Sequence, residues 1–242
     1  MKNFLSSCLY FLEKTLLPYH CMLCLKTSDQ RRDLCCQCQA NLPTSSYTCL
    51  QCGLALPAAT PSLRCGQCIQ RPPHFDDTIV GFDYQTPINY WLKQFKFHKK
   101  GLYARILSEI YAEKLARILE NNPENKPQAL VPMPLHWRRI TQRGFNQAYI
   151  ITQYLSQKLG IPIIKHSCIT RMKYTKPQSS LHLQARRHNM RGAFSVQNMA
   201  SVEHVAIIDD IITTGNTVNE LSQQLKSHGI KRVSVWALAR VN

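Results

Sequence analysis

Hydrophobic segments and helical patterns alternate along the second half of the chain. Four short apolar runs are typical of buried strands, at residues 129–133, 161–164, 203–208 and 233–238. Helical patterns cover 146–159 and 217–227, and a glycine comes soon after each of them. Apolar strands that alternate with helices predict a parallel sheet covered on both faces. Ligands of such sheets bind at the carboxyl ends of the strands, so we expect a functional site at this edge.

The first half of the chain has a different pattern. Residues 1–17 carry apolar side chains at helical spacing, which predicts an amphipathic helix. Residues 18–71 contain many cysteines and turn formers but few large aliphatic side chains, so they cannot build a hydrophobic core. A strand at 78–84 and helices at 88–97 and 102–119 come after the Pro72-Pro73 step. We expect a cysteine-rich module over 18–71 and an α/β domain over 75–242.

The net charge of +16 is concentrated in one part of the chain. No aspartate or glutamate occurs between residues 125 and 202, whereas basic residues recur throughout this window. These are Lys126, Arg138, Arg139, Arg143, Lys158, Lys165, Arg171, Lys173, Lys176, Arg186, Arg187 and Arg191. A long block of one sign favours phosphate-bearing partners, although a solvated basic face is the simpler interpretation.

Ten of the eleven cysteines precede residue 69. Eight of them form the C-x-x-C pairs Cys21/Cys24, Cys35/Cys38, Cys49/Cys52 and Cys65/Cys68. Such pairs are typical of tetrahedral zinc sites rather than of disulfide-bonded domains, and they indicate a reducing compartment, which we expect to be the cytoplasm. We expect two structural Zn²⁺ sites that join the pairs in series. An interleaved arrangement, with the first pair joined to the third, remains open.

No export signal or membrane span is predicted. The apolar run before Cys8 is too short for an export signal, and Glu13-Lys14 interrupts the apolar positions after Cys8. No segment approaches the roughly 18 apolar residues of a membrane-spanning helix. The sequence therefore favours a soluble protein.

The strand at 203–208 leads into the sequence VAIIDDIITTGNT, residues 205–217. Asp209 and Asp210 would be costly to bury unless a partner such as sugar hydroxyls satisfied them. The turn after them consists of Thr213, Thr214, Gly215, Asn216 and Thr217. It opens a helix, so its backbone N–H groups and hydroxyls can bind a phosphate. Paired acids beside a phosphate turn indicate a ribose phosphate as the ligand.

This stretch resembles the phosphoribosyl-pyrophosphate (PRPP) motif of type I phosphoribosyltransferases. The resemblance implies a type I phosphoribosyltransferase-like α/β fold. It also implies that Asp209 and Asp210 bind the ribose 2′ and 3′ hydroxyls and that residues 213–217 bind the 5-phosphate. Mg²⁺ would be held mainly by the diphosphate and ribose oxygens.

The same resemblance assigns two further parts of the site. Pro134, Leu135 and His136 would correspond to the pyrophosphate loop, with Arg138, Arg139 and Arg143 near enough in sequence to neutralise the diphosphate. The basic stretch from 171 to 191 occupies the position of a mobile loop over the site. Its candidate contacts are Arg171, Lys173, Gln178, Arg186 and Arg187.

Further motifs are spread along the chain. They are Val131-Pro132-Met133-Pro134-Leu135-His136, Arg143-Gly144-Phe145-Asn146-Gln147-Ala148, Gln178-x-x-Leu181, Arg186-Arg187-x-Asn189-x-x-Gly192-Ala193-Phe194 and Leu92-Lys93-x-x-Lys96-Phe97. With the cysteine pairs, they resemble the ComF family over nearly the entire chain from Cys21. This resemblance implies a phosphoribosyltransferase-like protein with an N-terminal zinc module that handles incoming single-stranded DNA in naturally transformable bacteria. The implied partners are PRPP, single-stranded DNA and proteins of the competence machinery.

Two functions remain open. An active phosphoribosyltransferase would transfer phosphoribosyl from PRPP to an unknown nucleophile, which needs mainly positioning and charge stabilisation. A nucleic-acid-handling protein would keep the PRPP site for binding, and its basic window would bind single strands by charge and stacking. The aromatic residues in this window are Trp137, Phe145, Tyr149, Tyr154 and Tyr174. Core packing is the simpler interpretation of Tyr149 and Tyr154. The ComF resemblance favours the second function.

Overall fold

The computed structural model describes residues 18–58, 62–98, 100–173, 192–197, 199 and 202–242. The chain divides into two compact units, Met1–Leu42 and Pro43–Asn242. The amphipathic helix expected at 1–17 lies outside the described residues. Within the described ranges, no helix combines the length and the apolar character that crossing a membrane requires.

The described part of the smaller unit, residues 18–42, contains little aliphatic core. Its short helix α1 (Cys36–Ala40) buries no side chain, and an isolated antiparallel bridge joins His20 to Thr27. Within 18–42, the buried aliphatic side chains are Leu34 and Leu42. Because so little apolar surface is buried, this segment needs a further source of folding energy.

The larger unit contains a four-stranded parallel sheet. The strands are β1 (Asp77–Asp83), β2 (Ala129–Pro132), β3 (Ile169–Arg171), β4 (Phe194–Val196), β5 (His204–Ile212) and β6 (Arg232–Arg240). Four of them pair in the order β1-β6-β5-β2, and every pair in this sheet is parallel. Strands β3 and β4 form a separate antiparallel pair. The parallel sheet expected from the alternating pattern is confirmed.

Helices pack against both faces of this sheet. The described α-helices of the larger unit are α2 (Gly66–Gln70), α3 (Ile88–His98), α4 (Gly101–Asn121), α5 (Trp137–Arg143), α6 (Gln147–Leu159) and α7 (Asn216–Ser227). Helix α6 packs against β2, β5 and α4, and α7 packs against β6 and β4. Side chains alternate between the two faces of a strand. Val205 and Ile207 of β5 accordingly join the core that includes Val218 and Leu221 of α7.

The structure differs from the expected pattern in three places. Residues 161–164 form an isolated parallel bridge, Leu130 with Ile163, rather than a strand. Helix α5 and the β3–β4 pair were not expected, because α5 buries no apolar face and the two strands are only three residues long. Strand β5 continues to Ile212, since its pairing with β6 extends past the acid pair to Arg240.

Candidate functional site

Asp209 and Asp210 lie inside β5, near its carboxyl end. As neighbours on a strand they point to opposite faces of the sheet. Asp210 is only 8% exposed, and its backbone N–H donates to Asp209 Oδ1 at 2.8 Å. Burial raises the pKa of Asp209, and the charge of Asp210 raises it further. Asp209 therefore needs a ligand or a counter-ion to be stable in its ionised form.

Lys96 supplies one such counter-ion. Its Nζ lies 2.5 Å from Asp210 Oδ2, and both side chains are largely buried. The lysine is carried by α3, whose apolar residues Leu92 and Phe95 are buried, so the helix cannot easily move away from the sheet. Phe95 also contacts the Phe145 ring, with centroids 5.3 Å apart. Lys96 was not among the expected site residues, although it lies within the family motif Leu92-Lys93-x-x-Lys96-Phe97.

The turn after β5 has the geometry of a phosphate site. Gly215 adopts φ of 76°, a left-handed conformation that glycine accepts readily, and it caps α7. Gly215, the N-cap residue of this twelve-residue helix, has no side chain that could cap the first turn. The first backbone N–H groups of a helix lack intrahelical partners and favour anions. Thr213 is exposed, and Thr214, Asn216 and Thr217 are partly exposed beside these groups.

Arginines from α5 and β3 act on the acid pair. Burial lowers the pKa of Arg143, and the nearby charge of Asp210 opposes this shift. Burial also lowers the pKa of Arg171 to about 10; Arg139 adds to the shift and Asp209 opposes it. Arg143 and Arg171 thus interact electrostatically with Asp210 and Asp209, and Arg139 interacts with both arginines. A cluster of this kind can hold a strongly anionic group next to a sugar.

The loop between β2 and α5 borders the same region. It consists of Pro134, Leu135 and His136, and the first and last of these are buried. His136 Nδ1 accepts a hydrogen bond from the backbone N–H of Arg138 at 3.3 Å and so caps α5. Burial lowers the pKa of His136, and the positive charges of Arg138, Arg171 and Arg139 lower it further. This imidazole is therefore neutral at physiological pH.

The expected mobile-loop residues are only partly described. Arg171 lies beside the acid pair, as its interaction with Asp209 shows. Lys173 lies next to Gly192, at the other end of the undescribed segment. Gln178, Arg186 and Arg187 lie outside the described residues.

The cysteines form two groups of four, and the grouping is serial. Cys21, Cys24, Cys35 and Cys38 form the first group, and Cys49, Cys52, Cys65 and Cys68 form the second. Within each group all sulfur atoms lie within 4.8 Å of one another. Four soft sulfur donors at such distances suit Zn²⁺. Cys36 and Cys168 belong to neither group, and Cys8 lies outside the described residues.

The second cysteine group is attached to β1 of the same unit. Gly53 has φ of 70°, and a Cβ there would lie 2.5 Å from Val80 Cγ2, so only glycine allows this close approach. The Thr78 backbone N–H donates to the Leu50 carbonyl at 2.9 Å, and Thr78 Oγ1 donates to the Gln51 carbonyl at 2.6 Å. The loop that carries the second group is therefore an integral part of the sheet edge.

The aromatic residues of the basic window have different environments. Trp137 is 64% exposed, and the Arg138 guanidinium lies 5.3 Å from its ring centroid. Phe145 packs against Phe95. Tyr149 is exposed and Tyr154 is partly buried, whereas Tyr174 lies outside the described residues. Trp137 is therefore the best placed of the described set to stack on a flat ligand.

Known proteins resemble this chain over most of its length. DNA utilization protein YhgH of Salmonella typhimurium is 33% identical over 93% of this chain and 98% of that protein. Competence protein F of Haemophilus influenzae is 32% identical over 87% of this chain and 91% of that protein. Competence protein ComFC of Streptococcus pneumoniae is 24% identical over 66% of each chain. No protein-family model matches the chain.

A solved structure also overlaps with the chain. The crystal structure of purine phosphoribosyltransferase from Pyrococcus horikoshii covers 69% of this chain and 90% of its own, with 14% identity and a TM-score of 0.32. A score this low assigns neither fold nor activity. The family assignment rests on the relatives, because the similarity extends over nearly the full length of proteins from two bacterial genera. The chain belongs to the ComF family, together with competence protein F and DNA utilization protein YhgH.

Proposed function

We propose that this protein binds PRPP at the carboxyl end of β5 and handles single-stranded DNA during its uptake in natural transformation. Asp209 and Asp210 would bind the ribose hydroxyls, and the turn at 213–217 would bind the 5-phosphate. Arg143 and Arg171, whose charges interact with Asp210 and Asp209, would hold the diphosphate together with Arg139 and the loop at His136. When present, Mg²⁺ would bind mainly to the oxygens of PRPP itself.

One observation carries the PRPP proposal. An acid pair and a helix N-terminus lie on consecutive elements, β5 and α7, and arginines approach the acids from α5 and β3. A bare anion would be repelled by the carboxylates, and a neutral sugar would make no use of the turn. A phosphorylated sugar that also carries a diphosphate matches all three parts.

The DNA part of the proposal rests on the relatives and on the charge. The relatives include proteins named for competence and for DNA utilization. The net charge of +16 favours a polyanionic partner, and exposed Trp137 with Arg138 provides a surface on which a base can stack. Proteins of the competence machinery are further proposed partners.

An active phosphoribosyltransferase is the alternative function. The arrangement that favours it is the same one that favours binding: cations beside a ribose site can stabilise a departing diphosphate. Lys96 adds a further cation at the Asp210 end of this site. The displaced group would be pyrophosphate, and the nucleophile would add to the anomeric carbon of the ribose.

The cysteine groups support two further proposals. We infer that residues 18–71 bind two structural Zn²⁺ ions, one per group, because closed four-sulfur sites leave no position for a substrate. A cytoplasmic location suits these groups, since thiolates persist there and act as metal ligands.

A calorimetric titration tests the PRPP proposal. PRPP with Mg²⁺ is titrated into wild-type protein, Asp209→Asn/Asp210→Asn and the control Glu120→Gln, which changes an exposed acid at the end of α4. We expect wild type and control to bind alike and the double variant to bind at least about tenfold more weakly, because two buried hydrogen-bond acceptors are lost. Absence of binding to wild type, or equal binding to the double variant, would contradict the proposal.

A parallel titration with single-stranded DNA tests the second part. Affinity should fall steeply with salt because binding releases counterions from the strand. Weak binding that salt does not change would exclude a basic binding surface. Pyrophosphate release, assayed with purified protein, PRPP and a panel of bases and amines, then decides between binding and turnover.

A further inference from the structure

Arg240, the last residue of β6, joins two parts of the larger unit. Its side chain is buried, at 7% exposure, and donates to four backbone carbonyls. Nε donates to the Cys52 carbonyl at 3.1 Å. Nη1 donates to the carbonyls of Ile212 at 3.2 Å, Val241 at 3.0 Å and Thr213. A guanidinium has five donors in a fixed plane, so these contacts hold their acceptors in a defined geometry.

The acceptors lie on functionally different segments. Cys52 is a member of the second cysteine group, and its carbonyl lies within the C-x-x-C loop that begins at Cys49. Ile212 is the last residue of β5, and Thr213 is the first residue of the proposed 5-phosphate turn. One side chain therefore bridges the metal-binding loop and the phosphate turn.

An open cavity of about 610 Å³ lies beside the Arg240 contacts, and its lining includes Cys52, Cys68, Ile212 and Gly215. Cys52 packs against the apolar core that includes Ile212. The backbone carbonyls of the two segments are joined across this region by the hydrogen bonds of Arg240. Losing them would free the Thr213 carbonyl and the start of the turn.

We propose that Arg240 is a positioning residue that makes the phosphate turn depend on metal binding at the second cysteine group. When a metal holds the four sulfurs, the Cys52 carbonyl is fixed and Arg240 pre-organises the turn for the 5-phosphate. When the metal is lost, the loop relaxes, the turn becomes mobile and PRPP affinity falls. This inference rests on the proposed PRPP site, and it assigns regulation of that site to the second group.

Arginine variants test one end of the link. Arg240→Met removes the donors, Arg240→Lys keeps a charge and one donor group, and Arg117→Met is a matched control on an exposed position of α4. PRPP affinity should fall at least about tenfold in Arg240→Met, recover partly in Arg240→Lys and stay unchanged in the control. Amide hydrogen exchange at 211–217 should be faster in Arg240→Met, while the zinc content stays as in wild type.

Cysteine variants test the other end. Cys68→Ser removes one ligand of the second group, and Cys38→Ser is the corresponding change in the first group. Cys68→Ser should accelerate exchange at 211–217 and weaken PRPP binding about as much as Arg240→Met, whereas Cys38→Ser should weaken it by less than about threefold. If Cys68→Ser does not fold, wild type treated with a zinc chelator provides the same readout, with Cys38→Ser treated in parallel.

The two readouts separate this inference from the proposed function. Exchange at 211–217 is measured without ligand, so it decides the Arg240 link even for a protein that fails to bind PRPP. Wild-type exchange rates in a folded Arg240→Met protein would overturn the link. Equal effects of Cys38→Ser and Cys68→Ser on the turn would overturn it as well, because the second group would then have no special connection to it.

Discussion

At the residue scale, the two adjacent aspartates are not equivalent. Lys96 forms an ion pair with Asp210, and its positive charge also acts on Asp209. Arg171 interacts with Asp209. A ligand that binds both carboxylates must therefore replace or share counter-ions from two different elements.

The Lys96–Asp210 pair can be measured with a double-mutant cycle. Lys96→Gln leaves a largely buried carboxylate without its cation and should lower the free energy of unfolding by about 1–3 kcal/mol. Asp210→Asn in the same chain should recover part of this loss, because the carboxylate that lost its cation is then replaced by a neutral amide. Urea denaturation at neutral pH gives the free energy of unfolding of wild type, of each single variant and of the double variant. Additive effects of the two substitutions would show that the pair is not coupled.

Asp209 should show a conflict between stability and ligand binding. Its pKa is raised in the folded state, so ionisation costs stability as the pH rises from about 4 through the raised pKa. Asp209→Asn removes this cost and should raise Tm by about 2–4 °C at pH 8, with a smaller gain at pH 5. Thermal denaturation without ligand measures this; a loss of Tm that is equal at both pH values would contradict the burial argument. Glu120→Gln serves as the control.

The acids and the turn could be predicted from the sequence, because one continuous stretch contains both. Lys96 could not be assigned in the same way, since its partner lies on a distant strand and a lysine on an amphipathic helix is usually solvated. The carbonyl contacts of Arg240 left no sequence signal, because any residue can supply a backbone carbonyl.

At the element scale, strong hydrophobic periodicity decided which elements were predictable. Strands β5 and β6 and helices α4, α6 and α7 bury continuous apolar positions, and all but β5, which continues to Ile212, lie close to their expected bounds. Helix α5 has no buried residue, so its helical state depends on the His136 cap and on Gly144, where the chain turns with φ of 82°. The capping residues of such a helix, rather than an apolar face, determine where it begins and ends.

Helix α5 also provides an optical probe of DNA binding. Trp91 and Trp236 are 3% and 1% exposed, so a bound strand can reach Trp137 far more easily than either of them. Single-stranded DNA should quench tryptophan fluorescence in wild type, and Trp137→Phe should remove most of the quenching.

Trp137→Ala should weaken binding by about fivefold to 150-fold, as expected for one stacked base. An exposed aromatic residue elsewhere, changed as Tyr47→Ala, is the control. Unchanged quenching in Trp137→Phe would place the strand elsewhere.

At the scale of the whole molecule, the two units differ in what holds them together. Residues 18–42 bury few aliphatic side chains, whereas the larger unit has a full sheet core. A chelator should therefore unfold the first cysteine group and leave the central strands folded. Hydrogen exchange should become fast for amides at 21–38 and remain slow in β5 and β6. Protection that persists at 21–38 without metal would show that this segment folds by other means.

The serial grouping of the cysteines agrees with the expectation from their spacing. The close attachment of the second group to β1 could not be foreseen, because it depends on Gly53 fitting against Val80. Sequence spacing favours the serial grouping of the sulfurs, but the surface against which a loop packs depends on the folded neighbour.

The strand order also has a consequence for the synthesis of the protein. Among the described strands, β1 pairs with β6 alone, and β6 is synthesised long after it. On the ribosome, the second cysteine loop emerges together with β1. Strand β6, the partner of β1 in the sheet, has not yet been synthesised at that point. Metal can therefore be captured by a nascent chain whose sheet is still open, and a translation pause before residue 232 would leave a hydrophobic strand edge exposed. The timing of zinc supply during translation would then influence how much of the protein reaches its native state.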